Sequence, residues 1–239
     1  AFTAEVNVIL PNRVGIDEYA QVKERYSKGQ VSNLYPLTVE SNIFGMHSAV
    51  AAENDLTWAT NDYANFQIHT VKDDLFSSNS YFKLEGTAGS VFPTLTSSLF
   101  NNNYDNQLWT LSVTVEPKKY PLVEQVSGSD DDASGYTVRF YGVNHIADYK
   151  YQSFVVTGSM TKTQGENFFN SDKRMFVGAH RTNFTGSLLR SADTQVGSCK
   201  AWINSLPTGT IDKHNIKLEN YGSDSPTQNA FLYQNFVKD

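Results

Sequence analysis

Cysteine is almost absent from this chain of 239 residues, which contains only Cys199. A single thiol excludes an intramolecular disulfide and any metal site built from a cluster of thiolates. A domain of this size can bury enough apolar surface to fold without such cross-links. We therefore expect Cys199 to be a small core residue rather than a nucleophile.

Charge and long apolar runs are also scarce. Charged residues make up 18% of the chain, the formal net charge is -6, and the Lys and Arg residues are scattered. Duplex-binding proteins need a basic face to neutralise phosphates, and a membrane-spanning helix needs about 20 consecutive apolar residues. Neither feature is present in the sequence, so we expect neither nucleic-acid binding nor membrane insertion.

The sequence lacks the short motifs of common hydrolases and nucleotide-binding proteins. It contains no G-x-S-x-G nucleophile elbow, no H-E-x-x-H zinc motif and no Walker loop. None of its five histidines pairs with another at metal-ligand spacing. His69 lies beside Gln67 on a predicted strand, where we expect solvent or a partner as its neighbour. These absences favour a protein that is not an enzyme.

Aromatic residues are abundant, at 13%, and favour β structure. The clearest strand is 108–115, where large apolar side chains alternate with Thr and Ser. This period of two predicts one buried face and one polar face. Further strands are predicted at 34–40, 65–71, 81–85, 136–143, 154–159, 174–179 and 198–203, and short helical turns near 163–169 and 211–218.

The N-terminal residues have a different pattern. Residues 1–11 have the composition of a short strand, and Gly29 is a natural helix stop. We predict that residues 1–32 form an N-terminal strand and helical arm outside a sandwich formed by residues 33–239. The helix is predicted by apolar and aromatic side chains at helical spacing, at Ile16, Tyr19, Val22 and Tyr26.

The order of the predicted elements indicates the fold class. Many strands with almost no strand–helix alternation predict an all-β protein, with an antiparallel β-sandwich or jelly roll as its architecture. Turn-rich segments separate the strands, and no linker is long enough to divide residues 33–239 into two domains.

Three segments together resemble the laminin-G-like and concanavalin A-like jelly roll. Residues 105–117 (DNQLWTLSVTVEP) resemble its polar turn, Trp and alternating strand, and residues 136–144 resemble a strand that ends in a Gly turn. Residues 174–215 resemble its closing unit: a strand reaching a Gly, a loop with F-x-G, a last long strand and a helical turn carrying His. The resemblance implies a jelly-roll sandwich over about residues 33–221.

Other segments are similar to jelly-roll segments in structural proteins of tailed bacteriophages, particularly cyanophages. They are NIFGMHSAVAAEND at 42–55, GAHRTNFTGS at 178–187 and HNIKLENYG at 214–222. This resemblance implies a non-catalytic virion structural protein, either capsid-decorating, collar or tail-associated. Its partners would be other virion proteins or copies of itself, and its location the virus particle.

A carbohydrate-binding adhesin that recognises a host surface glycan is the alternative function. Tyr149 and Tyr151 lie near a loop and are of the type that stacks on sugar rings. His180, Arg181 and Asn183 follow a predicted strand and suit a polar recognition loop at the rim of the sandwich. The sequence favours a structural corner for this loop, in which these side chains bind the loop backbone.

An acidic loop is the one candidate for a metal. Asp130, Asp131 and Asp132 lie between Gly128 and Gly135, and carboxylate oxygens are the ligands that Ca2+ prefers. The laminin-G-like resemblance also implies Ca2+ at loop acids. Three consecutive side chains cannot all converge on one ion, so a solvated loop is the favoured interpretation. We expect no other cofactor.

A glycoside hydrolase is the least favoured function. Hydrolases of this fold place their acids along one strand as E-x-D-x-x-E, so that the carboxylates face the scissile bond. The nearest match begins at Glu53 and Asp55, but Trp58 follows them. The acid set is therefore incomplete.

Overall fold

The computed structural model describes residues 1–12, 24–25, 27–29, 38–48, 66–86, 92–119, 135–171, 173–178, 180–181, 188–190 and 192–218. Twelve strands, and two helices with both ends described, are defined in these ranges. In chain order they are β1 (Phe2–Leu10), β2 (Glu40–Ser48), β3 (Phe66–Lys72), β4 (Ser80–Gly86), β5 (Leu95–Thr96), β6 (Gln107–Pro117), β7 (Tyr136–Ile146), β8 (Tyr149–Met160), α1 (Lys162–Asn170), β9 (Lys173–Val177), β10 (His180–Arg181), β11 (Leu188–Arg190), β12 (Gln195–Trp202) and α2 (Thr208–Ile216).

Two five-stranded antiparallel sheets form the body of the molecule. Sheet 1 has the strand order β12-β1-β6-β7-β8, and sheet 2 has the order β5-β4-β3-β2-β9. The short strands β10 and β11 form a separate pair. This architecture confirms the predicted all-β, antiparallel sandwich. The two predicted helical turns are present as α1 and α2.

The core lies between the two sheets and is rich in aromatic rings. Trp109 of β6 contacts Phe82 of β4, with 4.8 Å between the ring centroids, and Phe82 stacks on Phe154 of β8 at 5.6 Å. All three side chains are buried. Such rings bury large apolar areas and add specific edge and face contacts, so they stabilise the packing of one sheet on the other.

The N-terminal strand belongs to the middle of sheet 1. β1 pairs with β12 on one side and with β6 on the other. Glu24, Arg25 and Ser27 are helical, and Gly29 follows with a φ of 65°, which agrees with the predicted helix stop. The prediction that the N-terminal strand lies outside the sandwich is therefore wrong, because β12 and β6 pair with it on both sides. The boundary predicted at residue 32 lies outside the described residues and stays a prediction.

The polar face of β6 is buried, although the alternating sequence predicts only one buried face. Thr110, Ser112 and Thr114 are as fully buried as the apolar residues between them. The reason is that α2 packs on the outer surface of sheet 1, where Asn215 donates a hydrogen bond to Thr110 Oγ1 at 2.8 Å. Buried polar groups need such partners, and Thr114 Oγ1 likewise lies 3.4 Å from Thr3 Oγ1, so Thr serves there without being exposed.

Candidate functional sites

The predicted residues Tyr149 and Tyr151 lie at the start of β8, in a strand rather than in a loop. β7 and β8 form a hairpin in which Ile146 pairs with Tyr149, so only Ala147 and Asp148 connect the strands. Tyr149 is 74% exposed and Tyr151 is 52% exposed. Ile146 is 51% exposed on the same hairpin, which therefore presents aromatic and aliphatic groups to solvent.

The turn of this hairpin has a left-handed backbone. Ala147 has a φ of 48° and Asp148 a φ of 63°. Positive φ at both central positions is the requirement of the type I′ turn, whose twist matches that of the flanking strands. Asn and Gly normally occupy these positions, and the Cβ of Ala147 makes this conformation costly. The signal for a tight hairpin was therefore missing from the sequence.

Among the residues that the structure describes, β8 is an edge strand of sheet 1, and it carries an alternating exposed face. Val155 is 57% exposed, and Ser153, Thr157 and Ser159 are exposed with it. The edges of sheet 2 differ, because β5 has two residues and β9 has five. Short edge strands are a device that prevents unwanted pairing. The twelve-residue β8 lacks that protection.

The other predicted site residues are only partly described. His180 and Arg181 form β10, which pairs with β11 through Arg190 and Leu188, and their side chains are not described. Both interpretations of this segment, a recognition loop and a structural corner, stay predictions. Asn183, the acidic residues 130–132, and the incomplete acid set at Glu53 and Asp55 lie outside the described residues.

A group of charged side chains, absent from the sequence-based predictions, lies on the outer face of sheet 2. It consists of Glu40 at the start of β2, His69 in β3, and Lys83 and Glu85 in β4, and we call it the open cluster. His69 pairs with Lys83 across the sheet, and Glu85 pairs with Gln67. His69 alternates with core residues of β3, which places it on the face away from the core.

Ionic contacts connect all four side chains of the open cluster. Glu85 Oε1 lies 3.2 Å from His69 Nε2, and Glu40 Oε1 lies 3.8 Å from His69 Nδ1. The Lys83 ammonium lies 2.5 Å from Glu40 Oε1 and 2.9 Å from Glu85 Oε2. The imidazole is fully buried, whereas the Glu40, Glu85 and Lys83 side chains are 28%, 26% and 18% exposed. Of the two neighbours predicted for His69, solvent is therefore wrong, and a partner stays a prediction.

The open cluster holds Glu85 in the charged form. The hydrogen bond with His69 lowers the pKa of Glu85 to about 2, and Lys83 adds to this effect against the opposing effect of burial. Burial by itself would lower the pKa of Lys83, but its hydrogen bonds with Glu40 and Glu85 outweigh burial, and the pKa is raised. Glu85 and Lys83 are therefore both charged at neutral pH.

A second cluster of the same residue types lies on the outer face of sheet 1. It consists of Glu5 in β1, Lys200 in β12 and His214 in α2, and we call it the closed cluster. His214 Nδ1 lies 2.7 Å from Glu5 Oε2, and Lys200 Nζ lies 3.6 Å from Glu5 Oε1. The Glu5 and His214 side chains are fully buried and that of Lys200 is 7% exposed. The His214 ring also stacks on Trp202, with centroids 5.3 Å apart.

Helix α2 is attached to sheet 1 by further polar contacts around the closed cluster. Tyr141 donates a hydrogen bond to Asp212, and Lys150 Nζ lies 2.6 Å from the other carboxylate oxygen of Asp212. Burial, together with the Asp212 carboxylate, raises the pKa of Tyr141 well above its ordinary value. The closed cluster therefore belongs to a helix-docking interface.

Comparisons with known protein families, with curated proteins and with solved structures each found no match. In the part of the chain that the structure describes, no helix is long and apolar enough to cross a bilayer. The resemblances to laminin-G-like domains and to phage structural proteins therefore stay predictions.

Proposed function

We propose that this protein is a non-catalytic structural component of a virus particle, which assembles with its own copies and with other virion proteins. The observation that carries the proposal is the exposed β7–β8 hairpin with the long edge strand β8. Ile146, Tyr149, Tyr151 and Val155 are each more than half exposed on this hairpin. Exposed apolar groups at the tip and along the strand of one hairpin favour a protein-interaction surface.

Strand pairing is the physical mechanism of this assembly. An edge strand presents unpaired backbone N–H and C=O groups, to which a strand of another chain can be added. Natural proteins commonly block long edges with Lys or Pro, but the exposed side chains of β8 from Ser153 to Ser159 are Ser, Val and Thr. Main-chain hydrogen bonds supply affinity in such pairing, and side chains such as Val155 supply specificity.

The virion setting is supported by the resemblance of residues 42–55, 178–187 and 214–222 to phage structural proteins. The sandwich architecture is compatible with that setting, since it provides a rigid body with two large faces. Within the virion, we propose a capsid-decorating, collar or tail-associated position.

Sedimentation velocity over a concentration series, with Ca2+ and with EDTA, tests the proposal. We expect a stable oligomer, indifferent to EDTA, whose interface exceeds the floor of about 1,000 Å2 for a specific contact. Val155→Lys places a charge beside the β8 edge and should shift the protein toward monomer. Ile203→Ser is the matched control, because Ile203 is 99% exposed outside the hairpin. A wild-type monomer at every concentration would overturn self-assembly.

A carbohydrate-binding adhesin is the second candidate, favoured by the two exposed rings of Tyr149 and Tyr151. Aromatic side chains on a rigid hairpin can stack on sugar rings with little loss of conformational entropy. A glycan-binding screen with the wild type and the double variant Tyr149→Ala, Tyr151→Ala tests it, with Ile203→Ser again as control. Binding that survives the double variant would exclude the hairpin as the sugar site.

A further inference from the structure

Three metal-ligating side chains of the open cluster converge from three neighbouring strands. One ligand atom each of Glu40, His69 and Glu85 lies within 4.8 Å of the other two. The backbone ladders of β2 with β3 and of β3 with β4 fix the relative positions of these residues. Sites built on paired strands are more precisely held than sites on loops. The convergence is therefore a property of the sheet itself.

A cation is already stabilised at this position. The Lys83 ammonium lies within hydrogen-bonding distance of one oxygen of Glu40 and one of Glu85. Two carboxylates this close repel each other unless a positive charge lies between them. Lys83 supplies that charge from a long and flexible side chain that is 18% exposed. The side chain can leave toward solvent when a stronger cation competes.

We propose that Glu40, His69 and Glu85 form a binding site for a divalent transition-metal ion of the Zn2+ class, which displaces the ammonium of Lys83. The proposal is independent of the assembly function. One imidazole nitrogen with two carboxylate oxygens is a ligand set that Zn2+ accepts, and it leaves a fourth position for water. The partly exposed Glu40 and Glu85 carboxylates give the ion access from solvent.

The geometry requires only a small closure. Ligand atoms about 2.0–2.2 Å from a tetrahedral Zn2+ lie roughly 3.4 Å from one another. Pairs now separated by up to 4.8 Å must therefore approach by up to about 1.4 Å. The buried His69 ring is the fixed ligand, and rotation of the Glu40 and Glu85 side chains supplies the movement.

The ligand set also determines selectivity. Ca2+ takes six to eight oxygen ligands, and Mg2+ retains most of its water. Two carboxylates and one imidazole suit neither ion, whereas imidazole is a preferred ligand of Zn2+, Ni2+ and Cu2+. The site is thus distinct from the Ca2+ loop predicted at residues 130–132.

Isothermal titration of the full chain with Zn2+ alone tests the proposal, with Ca2+ and Mg2+ titrated in parallel. We expect one Zn2+ per chain and much weaker binding of the other two ions. His69→Gln and Glu85→Gln should each weaken binding by at least about tenfold, since both remove a ligand. Lys83→Met removes the competing cation and should tighten binding by about tenfold.

Lys150→Met is the matched control, because Lys150 contacts the Asp212 carboxylate on the other sheet, outside the open cluster; it should leave the Zn2+ affinity unchanged. X-ray absorption of the loaded protein should show one imidazole nitrogen in an otherwise oxygen shell. The proposal is overturned if neither the wild type nor Lys83→Met binds Zn2+. It is equally overturned if a properly folded Glu85→Gln variant binds as the wild type does.

Discussion

Two clusters of Glu, His and Lys lie on the outer faces of the two sheets, and they differ in cover and in charge. The closed cluster has one carboxylate, Glu5, whose side chain is 0% exposed beneath α2. The open cluster has two carboxylates, Glu40 and Glu85, whose side chains are 28% and 26% exposed. The same residue types therefore serve helix docking in one sheet and form an accessible ionic site in the other.

The comparison shows that burial determines how much an ion pair contributes to stability. A buried pair in low dielectric depends on each partner, because removing one leaves an uncompensated charge. A partly exposed pair is screened by water and contributes less to stability, but its atoms can be reached by a dissolved ion. Stability should therefore depend more on the closed cluster, and ion binding on the open one.

Substitution of His214 should have the largest effect. His214→Ala removes the partner of the buried Glu5 carboxylate and the ring that stacks on Trp202. We expect a loss of about 3–5 kcal/mol in the free energy of unfolding, measured by urea denaturation. Lys217→Ala, at an exposed position directly after the same helix, should change it by less than about 0.5 kcal/mol. Equal effects of the two substitutions would refute the role of the closed cluster in docking α2 on sheet 1.

Removal of Lys83 should cost less stability than removal of His214. Lys83→Met should reduce the free energy of unfolding by about 1 kcal/mol, because its pairs with Glu40 and Glu85 are partly screened. The same urea experiment measures this loss. Saturating Zn2+ should reverse it, since the ion replaces the lost charge and binds only the folded state. A loss as large as that of His214→Ala would abolish the distinction between the clusters.

Acid should remove the contribution of Glu85 to stability. The contacts of Glu85 in the folded protein lower its pKa from the ordinary value of 4.5 to about 2. A lowered folded-state pKa contributes stability that is present above about pH 4.5 and is lost as the pH falls toward 2. The stability difference between the wild type and Glu85→Gln should therefore shrink over that range. Urea unfolding at a series of pH values measures it, and a constant difference would contradict the ionic role of Glu85.

The smallest expected effect concerns the thiol next to the closed cluster. Burial, with a contribution from the Glu5 carboxylate, raises the pKa of Cys199 to about 11. Its thiolate fraction at pH 8 should be about 100-fold below that of an ordinary cysteine. Alkylation by iodoacetamide, followed by mass spectrometry, should be slow in buffer and fast in denaturant. Rapid alkylation of the folded chain would show that the region around Glu5 and Cys199 is open.

The alternation of β6 predicted the sandwich, because period two in a run such as residues 108–115 depends only on local sequence. The same alternation could not show that Thr110 and Ser112 are buried, since their cover comes from α2, about 100 residues further along the chain. Tyr149 was predicted near a loop for a related reason. The turn at Ala147 and Asp148 lacks the Gly or Asn that normally accompanies its backbone conformation.

The open cluster was not predictable from spacing. Glu40, His69 and Glu85 come from three strands whose pairing register brings them together, and no short motif links them. A period-two pattern places His69 opposite the core residues of β3, which was a usable signal. The pattern predicts on which face of the sheet His69 lies, but it does not predict the carboxylates on the neighbouring strands that enclose its ring.

The most direct test of the central claim is a Zn2+ titration followed by imidazole NMR of the 15N-labelled protein. The account predicts that the His69 signals shift or broaden with one equivalent of Zn2+, while those of His214 remain unchanged beneath α2. Changes at His214 alone, equal changes at both rings, or no change at either would contradict it.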